Sequence, residues 1–401
     1  MEEQKKLSKL PYGEGSWYYI SNGKIEYKKC VKLNDGVKKR ISVRGNSERE
    51  CLDKMRKKLK ELSTYAIPDS KKTLTEAMRE WSVLCRTNHH AQTDIRIESI
   101  IDVHIARSTI GNMRFQMVTS EQIQKLLEEA NTVKNLSYSS IKQIYDYLNK
   151  FYRYASAKYD FKNPMLLVNM ISKQNVLKPE KEIVFLDKVG IKKFEVESST
   201  RYSTGKIKYR NGFAIAANNY LGLRGSELNA LTWDCVDFEK GLVYVNKTVI
   251  LKKNPDYKAG GDQPKKILAI QPYTKTNKNR SVPLNNKARQ LLMLHRENSE
   301  FTKLGDYLLA TESGKLNSLQ NLGKTIYKIT KNAGLTPSSC THITRHSFAT
   351  ELFRKGVKIE VIAKLLGNSV DVCRKTYVHI LDEQMDEAVN ELIPDDIFDE
   401  D

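Results

Sequence analysis

The feature of this sequence that most constrains its fold is a change in the spacing of apolar residues along the chain. Near the amino terminus, β-prone runs alternate with Asn-Gly and Asp-Gly pairs, which are strong short-range signals for β-hairpins. From Leu74 to about Lys158 the apolar residues recur every three to four positions, as they do on one face of a helix. Strand-like and helical patterns then mix from Ile183 onward. This succession predicts an α+β protein of several domains.

Residues 1–64 are predicted to form a small three-stranded sheet followed by one helix. The predicted strands, separated by Asn22-Gly23 and Asp35-Gly36, cover residues 17–20, 25–33 and 38–43. Ser47 and Glu50 have the spacing of a capping box, which predicts a helix from there to about Ser63.

Basic side chains are dense on these predicted strands and include Lys28, Lys38, Lys39, Arg40 and Arg44. A sheet of only three strands is narrow enough to enter the major groove of DNA. These five residues are therefore candidate DNA contacts. The alternative interpretation is a basic capping module that does not contact DNA.

Residues 73–165 are predicted to form a helical domain. The linker Ile67-Pro68-Asp69-Ser70 precedes it, and Asn163-Pro164 marks its end. The predicted helices cover residues 74–81, 97–105, 121–130 behind a Thr119 cap, and 139–158. Five aromatic residues of the last helix are interpreted as core, namely Tyr145, Tyr147, Phe151, Tyr152 and Tyr154.

Residues 180–401 are predicted to form a mainly helical domain with a small β-sheet. A helix is predicted at residues 211–219, and strands at residues 242–245, 267–270 and 281–284. The chain ends in an acidic tail, because residues 382–401 contain ten acidic and no basic side chains.

The charge of the chain indicates a polyanionic partner. The 67 Lys and Arg residues exceed the 48 Asp and Glu residues by a formal +19, and the residues before the acidic tail carry +29. Nucleic acid is the expected partner of so basic a protein. A ribosome-associated or merely well-solvated surface is the alternative.

Composition also indicates the cellular compartment. The sequence has no run of about 20 apolar residues, which a membrane span needs, and its amino terminus lacks the apolar core of a secretion signal. The 6 cysteines form no Cys-x-x-Cys pair. We therefore expect a cytoplasmic protein with no membrane contact, disulfide framework or zinc site.

Four segments of the last domain carry groups suited to phosphodiester transfer. The first segment contributes Arg224 in a glycine-flanked turn, and the second contributes Lys275 in a predicted hairpin tip at residues 273–280. The third contributes His342 and Arg345 in a His-x-x-Arg motif. The fourth begins with Leu365-Leu366-Gly367 and contributes Asn368 and Tyr377. Each signal alone is weak, since a hairpin lysine is usually just solvated and a lone tyrosine usually packs in a core. Together they supply arginines and a histidine for phosphate oxygens, a lysine acid and a tyrosine nucleophile. No metal motif or phosphate loop is present, so we expect no cofactor.

In order and spacing these segments resemble the tyrosine recombinases, in particular the integrases of temperate phages and conjugative transposons. The resemblance is specific over about residues 210–380 and includes Trp233-Asp234 and Val282-Pro283-Leu284. It is looser over residues 73–165, which resemble the family's core-binding domain, and over residues 16–63, which resemble the arm-binding domain. Asn368 is a departure, because the family usually has His or Trp there. An asparagine can donate a hydrogen bond to phosphate but cannot carry a proton.

The resemblance implies a site-specific recombinase that integrates and excises a mobile element. In such an enzyme Tyr377 attacks the scissile phosphorus and forms a 3′-phosphotyrosine. The transition state is stabilised by Arg224, Arg345 and His342, and Lys275 protonates the leaving 5′ oxygen.

The implied partners are double-stranded DNA with core and arm attachment sites, three further copies of the chain in a homotetramer, an excisionase and a host DNA-bending protein. The implied location is on DNA in the bacterial cytoplasm. The alternatives are a DNA-relaxing enzyme like the type IB topoisomerases and a DNA-binding regulator without catalytic activity.

Overall fold

The chain folds into two compact units, Met1–Glu180 and Lys181–Asp401. The computed structural model describes residues 15–20, 23–32, 38–64, 72–85, 91–159, 161–180, 183–258, 260–272 and 279–377. Among the helices in these ranges, none is both long and apolar enough to cross a membrane. The mixture of helices and small sheets confirms the predicted α+β class. The finer domain boundaries stay a prediction.

The first unit begins with a three-stranded antiparallel sheet. Its strands, in the spatial order β1-β2-β3, are β1 (Ser16–Tyr19), β2 (Ile25–Lys32) and β3 (Lys38–Gly45), and helix α1 (Glu48–Thr64) follows. One face of the sheet packs on α1 through a core of Ile25, Tyr27, Ile41, Val43, Cys51 and Met55. The predicted capping box is half correct. Ser47 Oγ accepts from the Glu50 N–H, but the Glu50 carboxylate accepts from the Asn46 N–H rather than from that of Ser47.

The remainder of the first unit is helical, as predicted. Its main helices are α2 (Leu74–Leu84), α3 (Ala91–Ile100), α4 (Ser120–Thr132) and α5 (Tyr138–Tyr159), and α3 continues as a π-helical turn at Ile101–Ile105. The Thr119 cap is confirmed, because Thr119 and Gln122 form a complete capping box. Phe151 and Tyr152 are buried, and the other three aromatic residues predicted to be core, Tyr145, Tyr147 and Tyr154, pack against the same core, so the prediction is confirmed.

The second unit is mainly helical with two small sheets. Its helices are α6 (Lys188–Ser198), α7 (Gly212–Ala217), α8 (Gly225–Ala230), α9 (Asn286–Glu297), α10 (Leu319–Asn332), α11 (Ile343–Arg354) and α12 (Ile359–Leu366), and residues 370–377 are also helical. Its strands are β4 (Val236–Asp237), β5 (Leu242–Val245), β6 (Thr248–Lys253), β7 (Lys266–Gln271) and β8 (Arg280–Pro283). One sheet has the order β4-β5-β8, and the other pairs β6 with β7.

The predicted hairpin at residues 273–280 is wrong. The strand before it, β7, pairs with β6, whereas the strand after it, β8, pairs with β5. The reason is the unrecognised strand β6, whose apolar residues are the partners of β7. Val282 of β8 lies opposite Val243 of β5, and both side chains are buried. The segment therefore connects two sheets instead of closing one hairpin.

A fully buried helix positions the residues that precede Arg224. All six residues of α7 are buried, and Leu221 and Leu223 after it are buried in the same core. Gly222 then adopts a left-handed backbone conformation with φ +63°, and an added Cβ would lie 2.3 Å from Cδ1 of Phe348 on α11. The turn thus requires glycine both for its φ and for its close approach to α11.

We predict that Gly222→Ala destabilises the second unit more than Gly205→Ala does. Gly205 also has a positive φ, +80°, but an added Cβ there meets no atom of the described residues within 4 Å. The control should therefore cost only the left-handed strain of about 1–2 kcal/mol. Gly222→Ala should cost about 1–3 kcal/mol more, because Phe348 must move. Denaturant unfolding of both variants measures the difference, and equal losses would contradict the predicted clash.

Candidate active site

Arg224 lies at the amino-terminal cap of α8. Asn218 holds the turn before it, because its side chain accepts from the Leu223 N–H and donates to the Leu223 carbonyl. Asn218 also donates to Thr344 Oγ1 on α11 at 2.9 Å. The turn that carries Arg224 is thereby tied to the helix that carries Arg345.

Glu227 is a buried carboxylate shared by two arginines. It accepts from Nη1 of Arg224 at 2.7 Å and from the Arg224 backbone N–H at 2.9 Å. Arg280 binds the same carboxylate with two bonds of 3.0 and 2.7 Å. Burial alone would raise the pKa of Glu227, but Arg280 and Arg224 lower it from 4.5 to about 2. Glu227 is therefore ionised and holds both guanidinium groups in place.

Arg345 is buried in the first turn of α11. Its guanidinium group donates to the carbonyls of Gly222 and Leu366, both at 2.9 Å, and to Asn368 Oδ1 at 3.1 Å. Burial, followed by repulsion from Arg224, lowers the pKa of Arg345 to about 10. Arg345 is still protonated at neutral pH, so it is available to bind an anion.

Three arginines from separate segments meet at the carboxyl end of α12. The helix ends in a left-handed Gly367, and the N–H groups of Gly367 and Asn368 bond to the carbonyls of Lys364 and Ala363. The next three carbonyls, of Leu365, Leu366 and Gly367, accept from Arg280, Arg345 and Arg224 at 2.9, 2.9 and 2.7 Å respectively. The final carbonyls of a helix have no partner within it and carry its partial negative charge, so cations are favoured there.

Asn368 bridges the two arginines of the expected phosphate clamp. Its Oδ1 accepts from Nη2 of Arg224 at 2.5 Å and from Nη2 of Arg345 at 3.1 Å. The amide oxygen is thus engaged by the two arginines, a contact that the sequence did not predict. A phosphate oxygen carries more negative charge and is a stronger acceptor for the same N–H groups.

Tyr377 is buried at the end of the helical residues 370–377. Its ring lies 5.1 Å from that of Phe353, and its hydroxyl lies 3.1 Å from Nδ1 of His346. Burial raises the pKa of Tyr377, although the charge of Arg345 opposes this in part. The phenol is therefore protonated at neutral pH and must lose a proton before or during any nucleophilic attack.

His342 caps α11 and is exposed, with its ring 6.0 Å from that of His346 one turn further along the helix. Lys275 lies outside the described residues, as does the acidic tail. The structure therefore brings Arg224, Arg345 and Asn368 into direct contact, and it places His342 in the helical turn that carries Arg345.

The described part of the site carries more positive than negative charge. Arg224, Arg280 and Arg345 contribute three guanidinium groups, and Glu227 contributes one carboxylate. The excess favours an anion such as a phosphodiester, and fixed donors of this kind stabilise charge that develops in a transition state. The arrangement fits nucleophilic attack on phosphorus.

Sequence reasoning missed the roles of Arg280, His346 and Asn218. Arg280 ends the segment 273–280 and His346 directly follows the His-x-x-Arg motif, but their contacts join residues 53 and 31 positions apart in the chain. Asn218 carried a usable signal, because a polar residue that follows the apolar run of α7 is expected to find buried hydrogen-bond partners.

The candidate DNA contacts of the amino-terminal sheet differ in their surroundings. Lys28 Nζ and Arg44 Nε both contact the Glu26 carboxylate, at 2.8 and 3.2 Å, on the face turned away from α1. Arg40 is exposed and, by strand alternation, shares that face with Arg44. The side chains of Lys38 and Lys39 lie outside the described part of the structure.

Comparison with known proteins indicates what kind of enzyme the chain is. Residues 190–384, which contain the arginine cluster and Tyr377, match the phage integrase family. The match supports the activity expected from the sequence. The chain is an enzyme of site-specific DNA recombination.

Two relatives and two solved structures illustrate the similarity of this recombinase to known ones. A tyrosine recombinase XerC-like protein of Caldanaerobacter subterraneus subsp. tengcongensis is 28% identical over 95% of this chain and 98% of its own length. The tyrosine recombinase XerC of Pediococcus pentosaceus is 24% identical over 65% of this chain and 78% of its own.

Among solved structures, a Tn1549 transposon integrase fragment in complex with a circular intermediate DNA matches with a TM-score of 0.63 and 18% identity, over 79% of this chain and 99% of that one. A lambda integrase fragment bound as a dimer to a core site matches with a TM-score of 0.55 and 16% identity, over 76% and 95%. These two likenesses show that the fold is shared.

We predict that Glu227→Gln makes the stability of the recombinase less dependent on pH. The folded-state pKa of Glu227 lies below its ordinary value, so its ionised form stabilises the fold above about pH 4.5 and this contribution is lost as the pH falls towards 2. The shift corresponds to about 3 kcal/mol. The unfolding free energies of wild type and variant should thus differ most near neutral pH, and the difference should shrink by about that amount as the pH falls towards 2.

The exposed Glu239 provides the control for this experiment. Glu239→Gln should change the unfolding free energy by no more than about 0.5 kcal/mol at any pH, as is usual for surface substitutions. A gap between wild type and Glu227→Gln that stays constant from pH 7 to pH 3 would show that the carboxylate is not held ionised by the arginines.

Proposed function

We propose that this recombinase integrates and excises a mobile DNA element through a 3′-phosphotyrosine intermediate. The observation that carries the proposal is the convergence of Arg224 and Arg345 on Asn368 Oδ1, because it marks a position where one anionic oxygen can be bound by both guanidinium groups. The proposed nucleophile Tyr377 lies 3.1 Å from the residue that follows Arg345.

The proposed reaction exchanges one phosphodiester for another. Tyr377 attacks the scissile phosphorus, while Arg224, Arg345 and the exposed His342 stabilise the negative charge of the transition state. Lys275 protonates the leaving 5′ oxygen. A 5′-hydroxyl of the partner duplex then reverses the attack, so no external energy source or cofactor takes part. Asn368 holds the two arginines in place until phosphate binds.

The proposed substrate is double-stranded DNA with core and arm attachment sites. A Tn1549 integrase fragment was solved with a circular intermediate DNA and a lambda integrase fragment with a core site, and a formal charge of +19 suits a DNA ligand. We further propose a homotetramer on DNA, assisted by an excisionase and a host DNA-bending protein. An enzyme of this kind acts where bacterial DNA lies, in the cytoplasm.

Tyr377→Phe is predicted to abolish the covalent intermediate and leave DNA binding intact. A duplex that is nicked next to the crossover loses its short 5′-hydroxyl fragment after cleavage, so wild-type protein should accumulate as a covalent adduct that denaturing electrophoresis detects. The Phe variant keeps the packing of the ring and lacks only the hydroxyl.

The same assay tests the nucleophile assignment against other tyrosines. Tyr257→Phe and Tyr273→Phe should form the adduct at the wild-type level. An adduct in Tyr377→Phe would refute the assignment, and mass spectrometry of the digested adduct would then identify the tyrosine that carries the DNA.

Arg40 and Arg44 allow a matched test of the proposed arm-binding sheet. Arg40 is exposed, whereas Arg44 is bound to Glu26 on the same face. The ligand is a duplex taken from the ends of the element that carries this gene. Arg40→Ala should reduce the slope of log affinity against log salt concentration by the amount that corresponds to about one phosphate contact. Arg44→Ala should lower it less, because its charge is already paired.

The test needs only the full chain and the dependence of affinity on salt concentration. A crossover-site duplex without arm sequence should bind wild type and Arg40→Ala alike. Unchanged binding of arm DNA by Arg40→Ala would contradict the proposal and leave the sheet as a capping module.

A further inference from the structure

The contact between Tyr377 and His346 is a feature of the site to which the proposed reaction assigns no role. The hydroxyl of Tyr377 lies 3.1 Å from Nδ1 of His346, and the two rings meet edge to face with centroids 6.0 Å apart. The ring of Phe353 also packs against the tyrosine ring, with centroids 5.1 Å apart. The phenol is thus held in one orientation, with its reactive oxygen directed at an imidazole nitrogen.

The protonation state of His346 suits it to accept a hydrogen bond. Burial, followed by repulsion from His342 and Arg345, lowers the pKa of His346 to about 4, so the ring is neutral at neutral pH. In the tautomer with the proton on Nε2, the lone pair of Nδ1 accepts from the tyrosine hydroxyl.

Building on the proposed function, we propose that His346 is a catalytic residue, the base that takes the proton of Tyr377 during DNA cleavage. The proton moves from Tyr377 Oη to His346 Nδ1 as Oη bonds to phosphorus. The bond from phosphorus to the 5′ oxygen breaks, and that oxygen takes a proton from Lys275, the acid proposed above. In the reverse step the attacking 5′-hydroxyl gives its proton to the neutral amine of Lys275, and the imidazolium returns its proton to the departing tyrosine oxygen, so every proton is accounted for.

The position of His346 on α11 supports this role. His346 directly follows Arg345, so one helix presents both a phosphate ligand and the base. A phosphodiester bound by Arg224 and Arg345 brings a negative charge close to His346. That charge offsets the repulsion from His342 and Arg345, which adds to burial in lowering the pKa of His346, so His346 becomes a stronger base when DNA is bound.

The first experiment measures single-turnover cleavage of the nicked duplex by full-length His346→Gln. Glutamine retains a hydrogen-bonding group but cannot take up a proton. Adduct formation should slow by about 100-fold or more, within the range of general base catalysis, and affinity for the duplex should be unchanged. Phe353→Leu is the matched control, because it alters the packing of the same tyrosine without removing a proton acceptor. It should slow cleavage by less than about tenfold.

A second measurement separates proton transfer from positioning. Fluorinated tyrosines at position 377 have a more acidic phenol, so they depend less on a base. The rate ratio between His346 and His346→Gln proteins should therefore shrink as fluorine atoms are added. A ratio that stays constant would show that His346 only positions the ring and would overturn the proposal.

The remaining outcomes are also decisive. Cleavage by His346→Gln at or above the wild-type rate would overturn the proposal and show that the contact only restrains the tyrosine. Failure of the proposed function looks different, because Tyr377→Phe would then still form an adduct. Loss of the adduct in Tyr377→Phe together with full activity in His346→Gln would leave the recombination mechanism standing and remove only the base.

Discussion

The carboxyl end of α12 is the acceptor on which the geometry of the site depends. Burying a guanidinium group is costly unless it is paired and hydrogen-bonded. Here three consecutive carbonyls, of Leu365, Leu366 and Gly367, each accept from a different arginine, and Glu227 binds two of the three guanidinium groups. Segments that begin at α8, β8 and α11 are thereby joined at one helix terminus. Displacing any one of them leaves buried donors or acceptors without partners.

This arrangement fixes geometry more than it adds stability. Buried ion pairs gain little net free energy once desolvation is counted, but breaking one by removing a partner costs about 3–5 kcal/mol. Gly367 shows how close the packing is, because an added Cβ would lie 3.1 Å from Nη1 of Arg280. Since Arg280 neutralises Glu227, the charges of Arg224 and Arg345 are left for an anion. The donors are oriented before any substrate arrives, which is the condition for electrostatic catalysis.

The sequence predicted the elements that local signals determine, but it did not predict contacts between residues that are distant in the chain. The Asn22-Gly23 pair and the Thr119 cap led to the sheet and to α4, because turn and capping chemistry act over a few residues. Strand partners could not be predicted in the same way, since the choice of β5 rather than β7 as the partner of β8 rests on burial of Val282 in the core. The site residues were found by family resemblance. The contacts between them could be seen only in the folded structure, as the hydrogen bonds from Arg280 to Glu227 show.

Asn368 shows how one departure from the family pattern redistributes roles. A histidine or tryptophan at this position offers an N–H to phosphate, whereas Asn368 Oδ1 accepts hydrogen bonds from Arg224 and Arg345. An amide cannot carry a proton at neutral pH, so in the proposed reaction this position orients the two arginines and takes no part in proton transfer. In the proposed reaction the two proton transfers must then fall to other groups. Lys275 serves the leaving oxygen, and His346, in contact with Tyr377, serves the nucleophile.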